Sequence, residues 1–175
     1  MVKIVRNALL LFLSLLSFQR NAIWDDDCTL WTDATIKSPS KARGYNELGL
    51  YALTKGRYSE ALRAIARTIQ MDPYQPVAYI NIGLAYEKLQ QIDLAVQAYE
   101  KAITLDPGDP TAYYNLGVVH YNYFKDRNKA LPLLLKARDL NPLEPDVHNY
   151  LGKIYREQGD DKAAQKEFSL YQTLR

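Results

Sequence analysis

The hydrophobic positions of this 175-residue chain fall into two regimes. From Ala8 to Phe18 the residues are apolar on every side of a helix, interrupted only by Ser14 and Ser17. A soluble surface helix would keep one polar face, so this run predicts a hydrophobic helix suited to a signal or a membrane anchor. Beyond residue 40 apolar and small residues return in the same order four times, divided by prolines. That pattern predicts short helices that bury their apolar faces against one another.

The prolines set the period. Pro39, Pro73, Pro107 and Pro142 stand 34, 34 and 35 residues apart, and other positions move with them. Leu48-Gly49, Ile82-Gly83, Leu116-Gly117 and Leu151-Gly152 recur in phase, each preceded three residues earlier by Tyr45, Tyr79, Tyr113 or His148. Ala61, Ala95, Ala130 and Ala164 follow the glycines, and Ile65, Tyr99, Leu134 and Phe168 come four residues later. The glycines and alanines let the two helices of a hairpin approach closely, and the large residues are expected to fill the gap to the next hairpin. A single hairpin cannot bury its apolar face alone, so stacking makes the core. Each proline ends a second helix, because the residue before it is pushed out of the α region.

These residues carry a resemblance. The stretch AYINIGLAYEKLQQIDLAVQAYEKAITLDP (residues 78–107) is similar to the tetratricopeptide-repeat (TPR) pattern of an aromatic, Leu-Gly, Tyr, Ala, Phe or Tyr, Ala and Pro, with Ile82 in place of Leu. The likeness extends over residues 42–175. It implies an all-α TPR superhelix of four helical hairpins, at about residues 42–75, 76–109, 110–144 and 145–175. The phase also runs backwards: LWTDATIKSP (residues 30–39) aligns with AYEKAITLDP (residues 98–107). Trp24 to Lys37 is therefore expected to be the second helix of a half repeat, capping the array within residues 22–40. Asp25, Asp26 and Asp27 would lie in its first turn, where carboxylates suit the helix dipole; a calcium loop would need alternating ligand positions and a glycine turn. Two departures stand out. The third repeat is one residue longer than the others, so its second helix is expected to start near Asn128 or Lys129, behind a lengthened turn from Tyr123 to Arg127. His120 also takes the place that Tyr86 and Tyr155 hold elsewhere.

By the same resemblance, the first helix of each repeat lines a concave groove. Its positions are Arg43, Asn46, Leu50 and Leu53; Val77, Ile80, Leu84 and Glu87; Thr111, Tyr114, Val118 and Tyr121; and Asp146, Asn149, Lys153 and Arg156. The middle two sets are mostly apolar and bear tyrosines, which suits a helix or extended peptide with hydrophobic anchors. The alternative is that Ile80, Leu84 and Val118 pack internally. Family members that clamp a C-terminal carboxylate use Lys, Asn and Arg at positions where this chain has Asn46, Leu50, Asn81, Thr111 and Asn115. Only Asn81 fits, so that clamp is absent.

Composition adds little. The chain is 47% hydrophobic and 24% charged, the make-up of a folded protein, and its net charge of +2 gives no argument for a nucleic-acid partner. Residues 37–70 hold seven Lys/Arg against two Asp/Glu, a basic stretch that suits solvated helix faces, anionic lipid or an acidic partner. Cys28 is the only cysteine and excludes an intrachain disulfide. His120 and His148 occupy aromatic core positions, and no phosphate loop, nucleophile elbow or metal-binding His pair occurs. No enzyme activity, cofactor or metal site is expected.

Residues 1–21 are read as a signal anchor or membrane helix, with membrane contact through residues 3–20. Lys3 and Arg6 precede the apolar run, which spans 13 residues between Arg6 and Arg20 and is short for a bilayer unless those charges snorkel. The positive-inside rule then puts residues 22–175 outside the cytoplasm, on the periplasmic side in a bacterium. The expectation is a membrane-tethered scaffold holding a partner segment in its groove as a subunit of an envelope complex. Two alternatives stand beside it. Residues 20–49 resemble the junction between the last membrane helix and the TPR tail in proteins related to protein O-mannosyltransferases, which would make the chain an accessory tail of a glycosyl-transfer system. Cleavage before Trp24 would make it a secreted adaptor.

Overall fold

The computed structural model describes residues 27–38 and 41–175. Those residues form nine helices: α1 (Asp27–Lys37), α2 (Ala42–Thr54), α3 (Tyr58–Met71), α4 (Pro76–Lys88), α5 (Ile92–Leu105), α6 (Pro110–Asn122), α7 (Arg127–Leu140), α8 (Pro145–Glu157) and α9 (Asp161–Leu174). No strand occurs among the described residues, and no helix there is long and apolar enough to cross a membrane. The hydrophobic helix expected over residues 1–21, and the first residues of the capping helix, lie outside the described residues.

The chain divides into two compact units, the first ending at Met71 and the second running from Asp72 to Arg175. In the first, α1 packs on α2, and α2 pairs with α3. In the second, the hairpins α4–α5, α6–α7 and α8–α9 stack in order, α5 against α6 and α7 against α8.

The connectors repeat one piece of local chemistry. The helices α3, α5 and α7 each stop before an Asp-Pro or Asn-Pro pair, and three residues after that proline a second one begins the next helix. The backbone N–H groups of Tyr74, Gly108 and Leu143 donate to the Oδ1 atoms of Asp72, Asp106 and Asn141, at 3.1, 2.9 and 3.3 Å. Each side chain thus closes its own turn. Pro76, Pro110 and Pro145 stand in the first turn of their helices, where no N–H is needed and φ is already helical. One proline stops the chain and the next restarts it.

Inside each hairpin the small residues act as expected. A Cβ placed on Gly117 would meet Cγ of Leu134 at 2.8 Å, and one on Gly152 would meet Cε1 of Phe168 at 2.7 Å. Ile65 covers Gly49, and Tyr99 covers Gly83, in the same way. This refines the role expected of the large residues. They fill the space over the glycine of their own hairpin and also reach the next one: Tyr99 shares a core with Ala112, Leu116 and Val119, and Leu134 with Val147, Leu151 and Ile154.

The third repeat departs slightly from expectation. Its second helix begins at Arg127, earlier than Asn128 or Lys129, because Asp126 caps it: Oδ1 accepts from the N–H of Lys129 at 3.1 Å. The extra residue is absorbed in the preceding turn, where Lys125 takes φ +56°. Pro132 lies inside α7, one turn from its start.

Candidate partner-binding face

The first helices of the repeats place each expected groove position. In the first unit, α2 carries Arg43 and Leu50 exposed, Asn46 half-buried and Leu53 buried. In the second unit, α4, α6 and α8 carry the rest. Val77 and Thr111 are exposed, and Leu84, Glu87, Tyr114 and Tyr121 are half-buried. Ile80 and Val118 are only 7% and 9% exposed and belong to the core. Ile80 packs with Tyr99, Leu116 and Val119, and Val118 packs with Leu134, Leu151 and Ile154. For these two residues the internal-packing alternative describes the structure, because the neighbouring first helix comes close enough to cover them.

What remains accessible on α6 and α8 is a cluster of tyrosines. The rings of Tyr114 and Tyr121 both stand edge-on to Tyr150, with centroids 6.1 and 5.6 Å away. Edge-to-face contacts of this kind align the positive edge of one ring with the negative face of the other. Polar bonds then fix the far end. The Tyr121 hydroxyl donates to Oε1 of Glu157 at 2.5 Å, Arg127 pairs with Oε2 of the same carboxylate, and Nδ2 of Asn122 donates to the Tyr150 hydroxyl at 3.2 Å. Lys153 places its ammonium 4.7 Å from the centre of the Tyr150 ring. Arg156 lies over Phe168, while Asp146 is exposed and Asn149 half-buried.

The electrostatics follow this geometry. Burial, helped by the hydrogen bond to Glu157, pushes the Tyr121 hydroxyl up to about 12. The Tyr121 hydroxyl and then Arg127 hold Glu157 below the usual carboxylate range. Tyr114 is raised further, by burial first and then by the charge of Asp146, followed by Tyr150, Glu144 and Glu87. Glu87 also accepts from the Tyr99 hydroxyl at 3.2 Å. Tyr114 and Tyr121 therefore stay neutral and present their hydroxyls at the edge of an apolar surface.

Tyr150, Asn122 and Glu157 of this cluster lie outside the repeat's groove positions. Tyr150 follows a groove position by one residue and reaches the cluster only because α8 packs alongside α6. The spacing of Tyr114 and Tyr121, seven residues and so two turns apart on one helix face, was the signal that an aromatic stripe existed.

The two histidines part company. His148 is 2% exposed, with Nε2 2.8 Å from the carbonyl of Pro142 and Nδ1 2.6 Å from Glu167 Oε2. It is a satisfied core residue, as its place in the pattern implied. His120 lies 5.4 Å from Phe124, and its buried Nδ1 has no hydrogen-bond partner.

The comparisons with known proteins agree with this architecture. A family model described as tetratricopeptide repeat matches residues 29–76 and 125–174, more than half of the chain, and one described as TPR repeat matches residues 88–122. No curated protein matches the chain in sequence. Among solved structures, a MamA from Desulfovibrio magneticus RS-1 is similar at 22% identity with TM-score 0.67, over 85% of this chain and 95% of that one. YrrB, a TPR protein with an unusual peptide-binding site, is 21% identical with TM-score 0.70, over 82% of this chain and 74% of that one. The first TPR of Spaghetti (RPAP3), bound to the HSP90 peptide SRMEEVD, is 25% identical with TM-score 0.64, over 68% and 94%. With repeats in phase, glycines under large side chains and stacked hairpins, the chain belongs to the tetratricopeptide-repeat family.

Proposed function

We propose that this chain is a non-catalytic scaffold that holds a segment of a partner protein on the first-helix face of its repeats. The observation that carries the reading is the Tyr114–Tyr150–Tyr121 cluster. Three half-buried rings, with the Tyr121 and Tyr150 hydroxyls hydrogen-bonded, form an amphipathic surface that no other described element of the chain covers. Rings with few rotamers and a wet hydroxyl supply contact area at low entropic cost. The structure of RPAP3 with its HSP90 peptide offers a precedent for a peptide held by a TPR fold. The absence of the basic clamp residues, with Asn46, Thr111 and Asn115 in their places, argues for an internal segment rather than a terminal carboxylate.

The apolar run Ala8–Phe18 behind Lys3 and Arg6 supports tethering to a membrane, with the repeats outside the cytoplasm and the chain a subunit of a larger complex. The likeness of residues 20–49 to a membrane-to-TPR junction supports a second reading, an accessory role in a membrane glycosyl-transfer system.

A detergent pull-down of the tagged full-length chain, read by mass spectrometry beside a Tyr114→Ala/Tyr121→Ala variant, tests the proposal. A stoichiometric partner lost by the variant, with its circular dichroism unchanged, supports the tyrosine face. A partner retained by the variant places binding elsewhere.

A further inference from the structure

The first turns of α6 and α8 enclose a cavity of about 210 Å³, lined by Thr111, Tyr114, Asn115, Asn141, Glu144 and Val147. Its size suits one long side chain. Val147 is buried and apolar, and the Tyr114 ring gives a second apolar wall. Two of the lining residues, Thr111 and Tyr114, are groove positions, so the cavity belongs to the same face as the tyrosine cluster.

One carboxylate, Glu144, stands in the lining, and Asp146 follows two residues later in the first turn of α8. Asp146, Glu144 and Glu87 all act on the Tyr114 hydroxyl to raise its pKa. Ion pairs among the described residues go to Asp33, Glu60, Asp126, Asp139, Glu157 and Glu167, and none reaches these three. Lys153 is nearly two turns along α8 from Asp146, over the Tyr150 ring. Helix starts favour anions, but the start of α6 is already answered by Asp109, whose Oδ1 accepts from the N–H of Thr111 at 2.8 Å. Glu144 occupies the N-cap of α8 without a side-chain capping bond, which leaves its carboxylate available to a ligand.

We propose that this cavity selects a lysine or arginine side chain of the bound segment. Its stem lies against Tyr114 and Val147, and its cationic head meets Glu144 and Asp146. Long basic side chains bury their methylenes along apolar surface while the charge stays at a polar rim, and complementary charge fixes the register of a bound segment. The inference rests on the first-helix face being the binding face.

The test is selection of a random-peptide phage library on the immobilised full-length chain in detergent. Selected peptides are expected to share one Lys or Arg, whose replacement by alanine weakens binding about tenfold at low salt and less at high salt. Glu144→Gln/Asp146→Asn, with unchanged circular dichroism, should weaken the parent peptide by a similar factor and make the alanine replacement neutral. Peptides that depend on Tyr114 and Tyr121 but lack a shared basic residue, or carry an acidic one, overturn this inference and leave the binding face standing. An absence of binders, or binders indifferent to Tyr114→Ala/Tyr121→Ala, overturns both.

Discussion

Cε1 of Tyr99 stands 2.6 Å from the point that a Cβ on Gly83 would occupy, and Cδ1 stands 2.8 Å from it. The ring is fully buried and shares its core with Ala112, Leu116 and Val119, so it has nowhere to retreat. One methyl group at Gly83 must therefore push two helices apart. Overpacking of this kind costs about 1–3 kcal/mol. Gly83→Ala is expected to lower the urea midpoint accordingly, and Gly83→Ala/Tyr99→Leu should recover part of the loss. An unchanged midpoint for the single variant would mean that α4 and α5 are not so closely packed.

His148 and Glu167 tie the last hairpin to the turn before it. The Pro142 carbonyl can only accept, so Nε2 donates to it, and Nδ1 stands 2.6 Å from Oε2 of Glu167. Arg138 reaches the other carboxylate oxygen at 3.3 Å. Removing one member of a buried pair strands the other, typically at about 3–5 kcal/mol. Glu167→Ala should cost about 3 kcal/mol by that mechanism and should expose α9 to limited proteolysis first. Equal protease resistance in both proteins would refute the assignment.

Acid should weaken the fold through His120. Burial lowers its pKa, and the nearby Lys129 adds to this against Asp126 and Glu100. The unfolded chain then takes up the proton more readily than the folded one. Stability is fully present above the ordinary histidine value of about 6.5 and falls as pH drops below it. His120→Phe removes both this slope and a buried nitrogen without a partner. Thermal melts from pH 7.5 to 5.5 should show a shallower decline for the variant, and parallel curves would exclude His120 as the cause.

The four hairpin turns place Gly56, Gln90, Lys125 and Gly159 at positive φ. Nothing lies within 4 Å of a Cβ built on Gly159, so the only penalty for a side chain there is backbone strain. Gly159→Ala should lose about 1 kcal/mol, whereas Gln90→Gly, at φ 60°, should be neutral or stabilising. Chemical denaturation of the pair reads the difference in sign, and two losses of equal size would rule out backbone strain as the cause.

Much of the repeat architecture was legible in sequence because its causes are local or recur in phase. A proline stops a helix wherever it stands, an Asp before it closes the turn, and a glycine every 34 or 35 residues announces close approach. The helix α7 starts one or two residues before the spacing predicts, because the Asp126 side chain caps it. The functional face was less legible. Fixed repeat positions found Tyr114 and Tyr121 but also chose Ile80 and Val118, which the neighbouring helix buries.

The sequence by itself determined the helices, their pairing and the family, since those follow from periodicity and steric size along the chain. Only the tertiary structure decided which groove positions stay accessible, brought Tyr150 from α8 to the rings of α6, and set Glu144 in one cavity with Tyr114. Those relations join residues some 30 positions apart through the angle and distance at which two helices pack. That geometry arises from the sum of many side-chain contacts, and no single spacing in the chain records it.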